Sequence, residues 1–290
     1  MELTGQIFTF FVLVIIAVAL YYLYKWLQGS DDLQNVVIFS PKRQGMPANS
    51  TNPVVYNELT LPPLYPGGEF SVSTWIYVNN WNERSGRNKL FFRLSGGSAE
   101  ASNVETLVMY LGQNVNKLSV RVSSASSVTS AGSGSAIDSV QLNSETITKI
   151  TQDSPTSVFT DDSTGFKKCD IEEIDLQRWV NITVCLSGKT VDVYMDGKLS
   201  RSCVLNSMYH VTGDRTKVEL AGPSGFGGYI GQTQIANYAY SPDQVYKMYQ
   251  NGPMDQSLWA MISGMFTASA SFTLPDSAKN LITVTPANNY

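Results

Sequence analysis

The chain has 290 residues, 43% apolar and 15% charged, a composition that supports a packed core in one large domain or two ordinary ones and excludes a disordered chain. Twenty Lys and Arg against 24 Asp and Glu leave a formal charge of −4, without the basic surplus that phosphate neutralisation needs, so nucleic acid is excluded as the main partner. Three cysteines are too few for a disulfide scaffold, and a single histidine, His210, cannot supply a multi-His metal site.

From Leu3 to Tyr24 the chain carries no charge. As a helix this stretch would span about 33 Å, against about 30 Å of bilayer hydrocarbon. Phe8, Phe11, Ile15 and Leu20 supply its apolar body, and Tyr21, Tyr24 and Trp26 gather at its C-terminal end, where amphipathic rings favour the headgroup zone. Residues 1–29 are therefore expected as an uncleaved transmembrane anchor. A signal peptide fits less well, because Glu2 precedes the core and bulky aromatics follow it. The basic residues near the span, Lys25, Lys42 and Arg43, all follow it and favour a globular part on the cytosolic side. Two N-glycosylation triplets, Asn49-Ser50-Thr51 and Asn181-Ile182-Thr183, suit the lumenal side instead. They weigh less than the charges, since such triplets arise by chance and Asn181 falls inside a predicted strand.

Residues 30–54 are polar and punctuated by Pro41, Gly45, Pro47 and Pro53, which reads as a linker with one short strand at Val36 to Phe39. The period then changes to two. In the run from Phe70 to Val78, Phe70, Val72, Ile76 and Val78 share one face while Trp75 and Tyr77 take the other, as in a strand inside a two-layer structure. Further strands are predicted over residues 89–94, 106–111, 117–122, 179–186, 190–195, 199–205, 217–221 and 228–237, with Gly188 and Asp196-Gly197 at hairpin turns. Ser241-Pro-Asp-Gln244 offers an N-cap, a first-turn proline and a capping-box partner for a helix that Asn251-Gly252-Pro253 ends. Between residues 123 and 165 lies a Ser/Thr-rich insertion, with eight serines in the 17 positions from Ser123 to Ser139. It buries little apolar area per residue and is expected as a long loop on one rim. Residues 254–290 form a tail whose Ser, Thr and Gly content favours a covering segment over a second span. Of the cysteines, Cys185 and Cys203 lie on neighbouring parts of the meander and could approach each other, while buried thiols are the default for all three and agree with a reducing compartment.

Three blocks carry a resemblance. Gly68 to Val78 resembles the opening strand of laminin-G-like, concanavalin A-like jelly rolls; Arg178 to Lys198 resembles their Trp-led strand and the hairpin ending in Asp-Gly; Gly225 to Gly252 is similar to their closing strand and short helix. The resemblance covers residues 55–253 and implies a mainly β fold of two packed antiparallel sheets, preceded here by the one transmembrane helix. Fold alone implies little about function, since lectins, glycan hydrolases, adhesion modules and capsid parts share it. The family's calcium-binding rim acids have no counterpart beyond Asp161 and Asp162, adjacent acids in a Ser/Thr-rich stretch that read as solvated, so calcium lacks support and no cofactor is expected. Glycan hydrolases of this fold class carry Glu-x-Asp-x-Glu on a strand. Glu173-Ile-Asp175-Leu-Gln177 matches two positions and fails at the third, because Gln177 cannot donate a proton to a leaving group.

The sequence is therefore read as a non-enzymatic, membrane-anchored structural protein that contacts the lipid bilayer through its N-terminal helix. It would bind structural neighbours through the serine tract marked by Ser123, Ser127, Ser133 and Ser139. Single-span anchors joined to jelly rolls resemble minor capsid components of large icosahedral DNA viruses, which implies capsid proteins as partners and a virion location. The alternative is a cell-surface glycan-binding or adhesion module with carbohydrate as partner, and a glycan hydrolase stands third.

Overall fold

The structure is a computed structural model, and it describes residues 2–27, 34–65, 67–96, 104–124, 142–143, 169–205, 207–209, 211 and 216–255. Strict alternation in β4 (Glu69–Asn80) does what the pattern predicts: Phe70, Val72, Ile76 and Val78 are all buried in one core cluster. β4 is the centre of the first sheet. Across it run β1 (Asn35–Phe39), β14 (Gly227–Ala236), β4, β10 (Trp179–Ser187), β11 (Thr190–Met195) and β12 (Lys198–Val204), with β2 (Met46–Pro47) added on β14. The second sheet has the order β3 (Val54–Tyr56), β13 (Lys217–Leu220), β5 (Lys89–Gly96), β6 (Val104–Leu111), β7 (Leu118–Val122) and β9 (Cys169–Ile171), with β8 (Leu142–Asn143) on β6. Every pairing is antiparallel. The fold is thus a mainly β sandwich of two antiparallel sheets, whose inward faces bury Leu94, Leu107, Met109 and Val120 from one sheet against Ile182, Val184 and Ile235 from the other.

The predicted hairpins form where the turn chemistry allows. Asp196 and Gly197 both take positive φ, 51° and 77°, the geometry a two-residue turn between β11 and β12 demands. The proline-punctuated stretch expected as a linker contributes β1, β2 and the start of β3, so it forms sheet edges as well as connections. β9 forms just before the Trp-led strand, over three residues where the sequence predicts no strand.

The membrane anchor needs correction. A helix, α1 (Glu2–Leu27), does form at the N-terminus. Its described side chains, Phe10 and residues 12–24, are exposed, Ile15, Leu20, Tyr21 and Tyr24 among them; those of Phe8, Phe11 and Trp26 lie outside the described ones. Among the described residues no helix is long and apolar enough to cross a membrane, so the single-pass localisation, with a domain on the cytosolic or capsid-facing side, is overturned.

The cysteines depart from the expectation of three buried thiols. Cys169 and Cys203 form a disulfide, and Cys185 is the buried free thiol. The physical reason is strand period. Cys185 stands opposite Asp192 on the sheet's outward face, whereas Cys203 stands opposite Val191 on the inward face with Leu186, so two cysteines two strands apart point to opposite sides. Cys169 lies on the edge of the second sheet, and the bridge ties edge strand β9 to edge strand β12; Arg201 donates to the Asp170 carbonyl oxygen at 3.0 Å across the same seam.

On the outward face of the second sheet Arg121 and Asp170 form a buried ion pair, and the Lys117 ammonium lies 2.8 Å from the other Asp170 carboxylate oxygen. Burial pushes the Asp170 carboxyl up, but the hydrogen bonds and charges of Arg121 and Lys117 outweigh it and hold the carboxyl below its ordinary value.

Candidate functional site

The outward face of the first sheet divides into a covered half and an open half. Helix α2 (Pro242–Asn251) starts as predicted: the Ser241 side chain accepts from the Gln244 amide, and the Gln244 side chain accepts from the Ser241 amide at 2.8 Å. The segment leading into it is pinned to β4, since Ser71 Oγ donates to the Tyr238 carbonyl and accepts from the Tyr240 amide, both at 2.9 Å. Val245, Tyr240, Tyr194 and Ala236 then bury Cys185 beneath the helix. That burial pushes the Cys185 thiol up to about 11, so at neutral pH it is a protonated, unreactive group. Tyr249 stacks on Trp75 at 5.8 Å with the rings 16° apart. Below them Asn181 Nδ2 and Thr183 Oγ1 both donate to Ser73 Oγ, at 3.2 and 2.9 Å.

One step along the strands the cover ends. Trp179 on β10, Tyr77 on β4 and Tyr229 on β14 are directly opposed across three neighbouring strands, each half-buried. Ring centroids lie 5.5 Å apart for Tyr77–Trp179, at 55°, and 6.4 Å apart for Tyr77–Tyr229, at 49°. The row runs across the strands for about 10 Å, twice the strand spacing. It floors an open concavity of about 340 Å³ whose other lining residues are Arg43, Gln44, Gly45, Asn79 and Met254. Asn79 follows Tyr77 on the same face and is exposed. The walls are tied down by backbone bonds: the Asp255 amide donates to the Pro41 carbonyl at 2.9 Å, and the Gln232 amide to the Pro253 carbonyl at 2.8 Å.

Two glycines set the position of the Trp179 indole. A Cβ on Gly45 would lie 2.5 Å from the Ile230 carbonyl oxygen and 2.8 Å from Trp179 Cη2; one on Gly231 would lie 2.9 Å from the Pro253 carbonyl oxygen and 3.0 Å from Trp179 Cζ3. The ring therefore lies against bare backbone. The backbone beneath it is held as well, because Arg178 pairs with Asp175 and Asp196, and Asp196 Oδ1 accepts from the Asn181 amide at 2.9 Å. Chemically the concavity can stack a flat apolar surface and hydrogen-bond its rim through the side-chain amides of Asn79 and Gln44, each both donor and acceptor.

The residues singled out from sequence lie elsewhere. Ser123 is fully buried at the end of β7, its amide bonded to the Thr106 carbonyl at 3.0 Å, so its position serves the sheet and offers no surface to a partner. Ser127, Ser133 and Ser139 lie outside the described residues, as do His210, Asp161 and Asp162. Glu173 and Asp175 sit on an exposed loop between β9 and β10, where they cannot line one strand face. Among the described residues no group of three or more His, Cys, Asp or Glu could hold a metal ion. The sequence pattern sets Tyr77 on the strand face opposite Phe70 and Trp179 at the head of a strand, without bringing the two together. The signal was present in three aromatics on strands that proved adjacent, and only register made them a row.

No protein-family model matches the sequence, and no curated protein matches it. Among solved structures, the chain is similar to the receptor binding domain of botulinum neurotoxin D, at 12% identity and a TM-score of 0.47 over 75% of this chain and 48% of that one. It is also similar to the serotype D ligand binding domain in complex with N-acetylneuraminic acid, at 11% identity and a TM-score of 0.44 over 70% and 41%. The serotype G binding domain matches at 11% identity and a TM-score of 0.40 over 68% and 38%. The chain spans less than half the length of these solved chains.

Proposed function

We propose that the sandwich is a non-enzymatic glycan-binding module of the laminin-G-like, concanavalin A-like type, and that the Trp179–Tyr77–Tyr229 row is its binding surface. One observation carries the reading: three half-buried aromatics, in register on adjacent strands, stand uncovered by the other described residues in a concavity rimmed by side-chain amides. A pyranose ring has a face of C–H groups and an edge of hydroxyls. The face stacks on an aromatic ring, and the edge needs groups that both donate and accept, as Asn79 and Gln44 do. The jelly-roll assignment is supported by the three resembling blocks, which form β4, the β10–β11 hairpin, and β14 with α2.

The absence of covalent chemistry in this reading is supported by Asp175, which is engaged by Arg178, and by the protonated, covered Cys185. A link between a membrane and a protein shell is not retained, since it required the span that the described residues do not supply.

The test is titration of the protein against a panel of immobilised oligosaccharides, followed by calorimetry on the best ligand. Trp179→Ala should weaken binding at least about tenfold, the effect of roughly 1.4 kcal/mol at an anchor residue, while the urea midpoint shows that the body remains folded. Asn79→Ala, at an exposed position, should weaken it with no change in stability. Binding that is unaffected by both substitutions, or a panel with no ligand at all, would overturn the reading.

A further inference from the structure

We infer that Asn49 is an acceptor for an N-linked oligosaccharide, Asn181 is not, and the chain matures in an oxidising, glycosylating compartment. This goes beyond the glycan-binding reading and stands without it. Two independent observations carry it.

The first is the contrast between the two triplets. Asn49 is exposed in the turn after β2, and Thr51, whose hydroxyl completes the acceptor sequence, is exposed two residues on. No proline occupies the middle position or follows Thr51 directly. The exposed Asn49 side-chain amide donates to the Glu83 carboxylate. Asn181 heads a triplet of the same N-x-T pattern in the opposite environment: it is fully buried in β10 opposite Trp75, and its Nδ2 donates to Ser73 Oγ. β4, which supplies both neighbours, precedes β10 in the chain, so Asn181 meets a partner strand already made.

The second observation is the disulfide. Cys169 and Cys203 join the edges of two different sheets. Such a bridge requires that two thiols surrender two protons and two electrons to a disulfide-donor protein, whose own disulfide is reduced to two thiols; this persists in oxidising compartments. In the same setting the co-reactant is a polyprenyl-diphosphate-linked oligosaccharide. Asn49 Nδ2 forms a bond to its anomeric carbon and loses one proton, while the bond from that carbon to the diphosphate oxygen breaks and the diphosphate leaves with the electron pair.

The experiment uses the full chain expressed in eukaryotic cells. The purified protein is mapped by mass spectrometry after enzymatic release of N-glycans in ¹⁸O-labelled water, and a second aliquot is mapped without reduction. The expected result is the label on Asn49 and not on Asn181, with the Cys169 and Cys203 peptides linked. Asn49→Gln should then remove the glycan and leave the disulfide in place. An unlabelled Asn49, a labelled Asn181 in folded protein, or Cys169 and Cys203 recovered as free thiols would each overturn the inference.

Discussion

Replacing both Cys169 and Cys203 by alanine removes the one disulfide among the described residues, a side-chain cross-link between the two sheets, and leaves Cys185 without a partner to mispair with. The bridge closes a loop of 34 residues. In the chain-entropy account the unfolded state regains about 2.1 + 1.5R ln 34, or about 12.6 cal/mol/K, which at 25 °C destabilises the fold by about 3.8 kcal/mol. With a urea dependence of about 2.5 kcal/mol/M, the midpoint of unfolding should fall by about 1.5 M. The seam between β9 and β12 then rests on packing and on the Arg201 contact to the Asp170 carbonyl. The assay is urea denaturation followed by tryptophan fluorescence, with and without dithiothreitol. Reductant should lower the midpoint of the unaltered protein by a similar amount and leave the double variant unmoved. A midpoint shift below about 0.3 M, or a peptide map pairing Cys203 with Cys185, would refute the argument from strand faces.

Asp170→Asn leaves the buried Arg121 guanidinium without its counter-charge and should cost about 3–5 kcal/mol, read as a lowered urea midpoint. Because the folded-state carboxyl lies below its ordinary value of 3.8, its contribution is present above that value and lost as pH falls through the lower folded one; stability of the unaltered protein should decline below about pH 4, and Asp170→Asn should flatten that decline. Gly45→Ala places a methyl group against the Ile230 carbonyl and the Trp179 ring, so it should cost about 1–3 kcal/mol, alter the near-UV circular dichroism of the indole and weaken oligosaccharide binding in calorimetry. Ser241→Ala removes the acceptor for the Gln244 amide and should lower stability by about 1 kcal/mol through loosening of α2, measured as a midpoint shift of about 0.4 M urea.

Local chemistry was legible because its causes lie within a few residues. The alternation in Phe70 to Val78, the positive φ of Asp196-Gly197 and the reciprocal cap of Ser241 and Gln244 each follow from neighbours in the chain, and all three stand in the structure where the sequence places them. β2, β3 and β9 were not legible, since strands of two or three residues carry too few positions to show a period and are stabilised by the sheet edge they join.

By itself, then, the sequence determined which stretches alternate, where the hairpins turn and where α2 begins, because backbone preference and side-chain period act over one or two turns of chain. Tertiary structure decided which cysteine meets which, that α2 covers Trp75 and leaves Tyr77 open, and that Tyr77, Trp179 and Tyr229 form a row. Those outcomes depend on register between strands up to about 150 residues apart, and a slip of one residue would turn every one of those side chains to the other face.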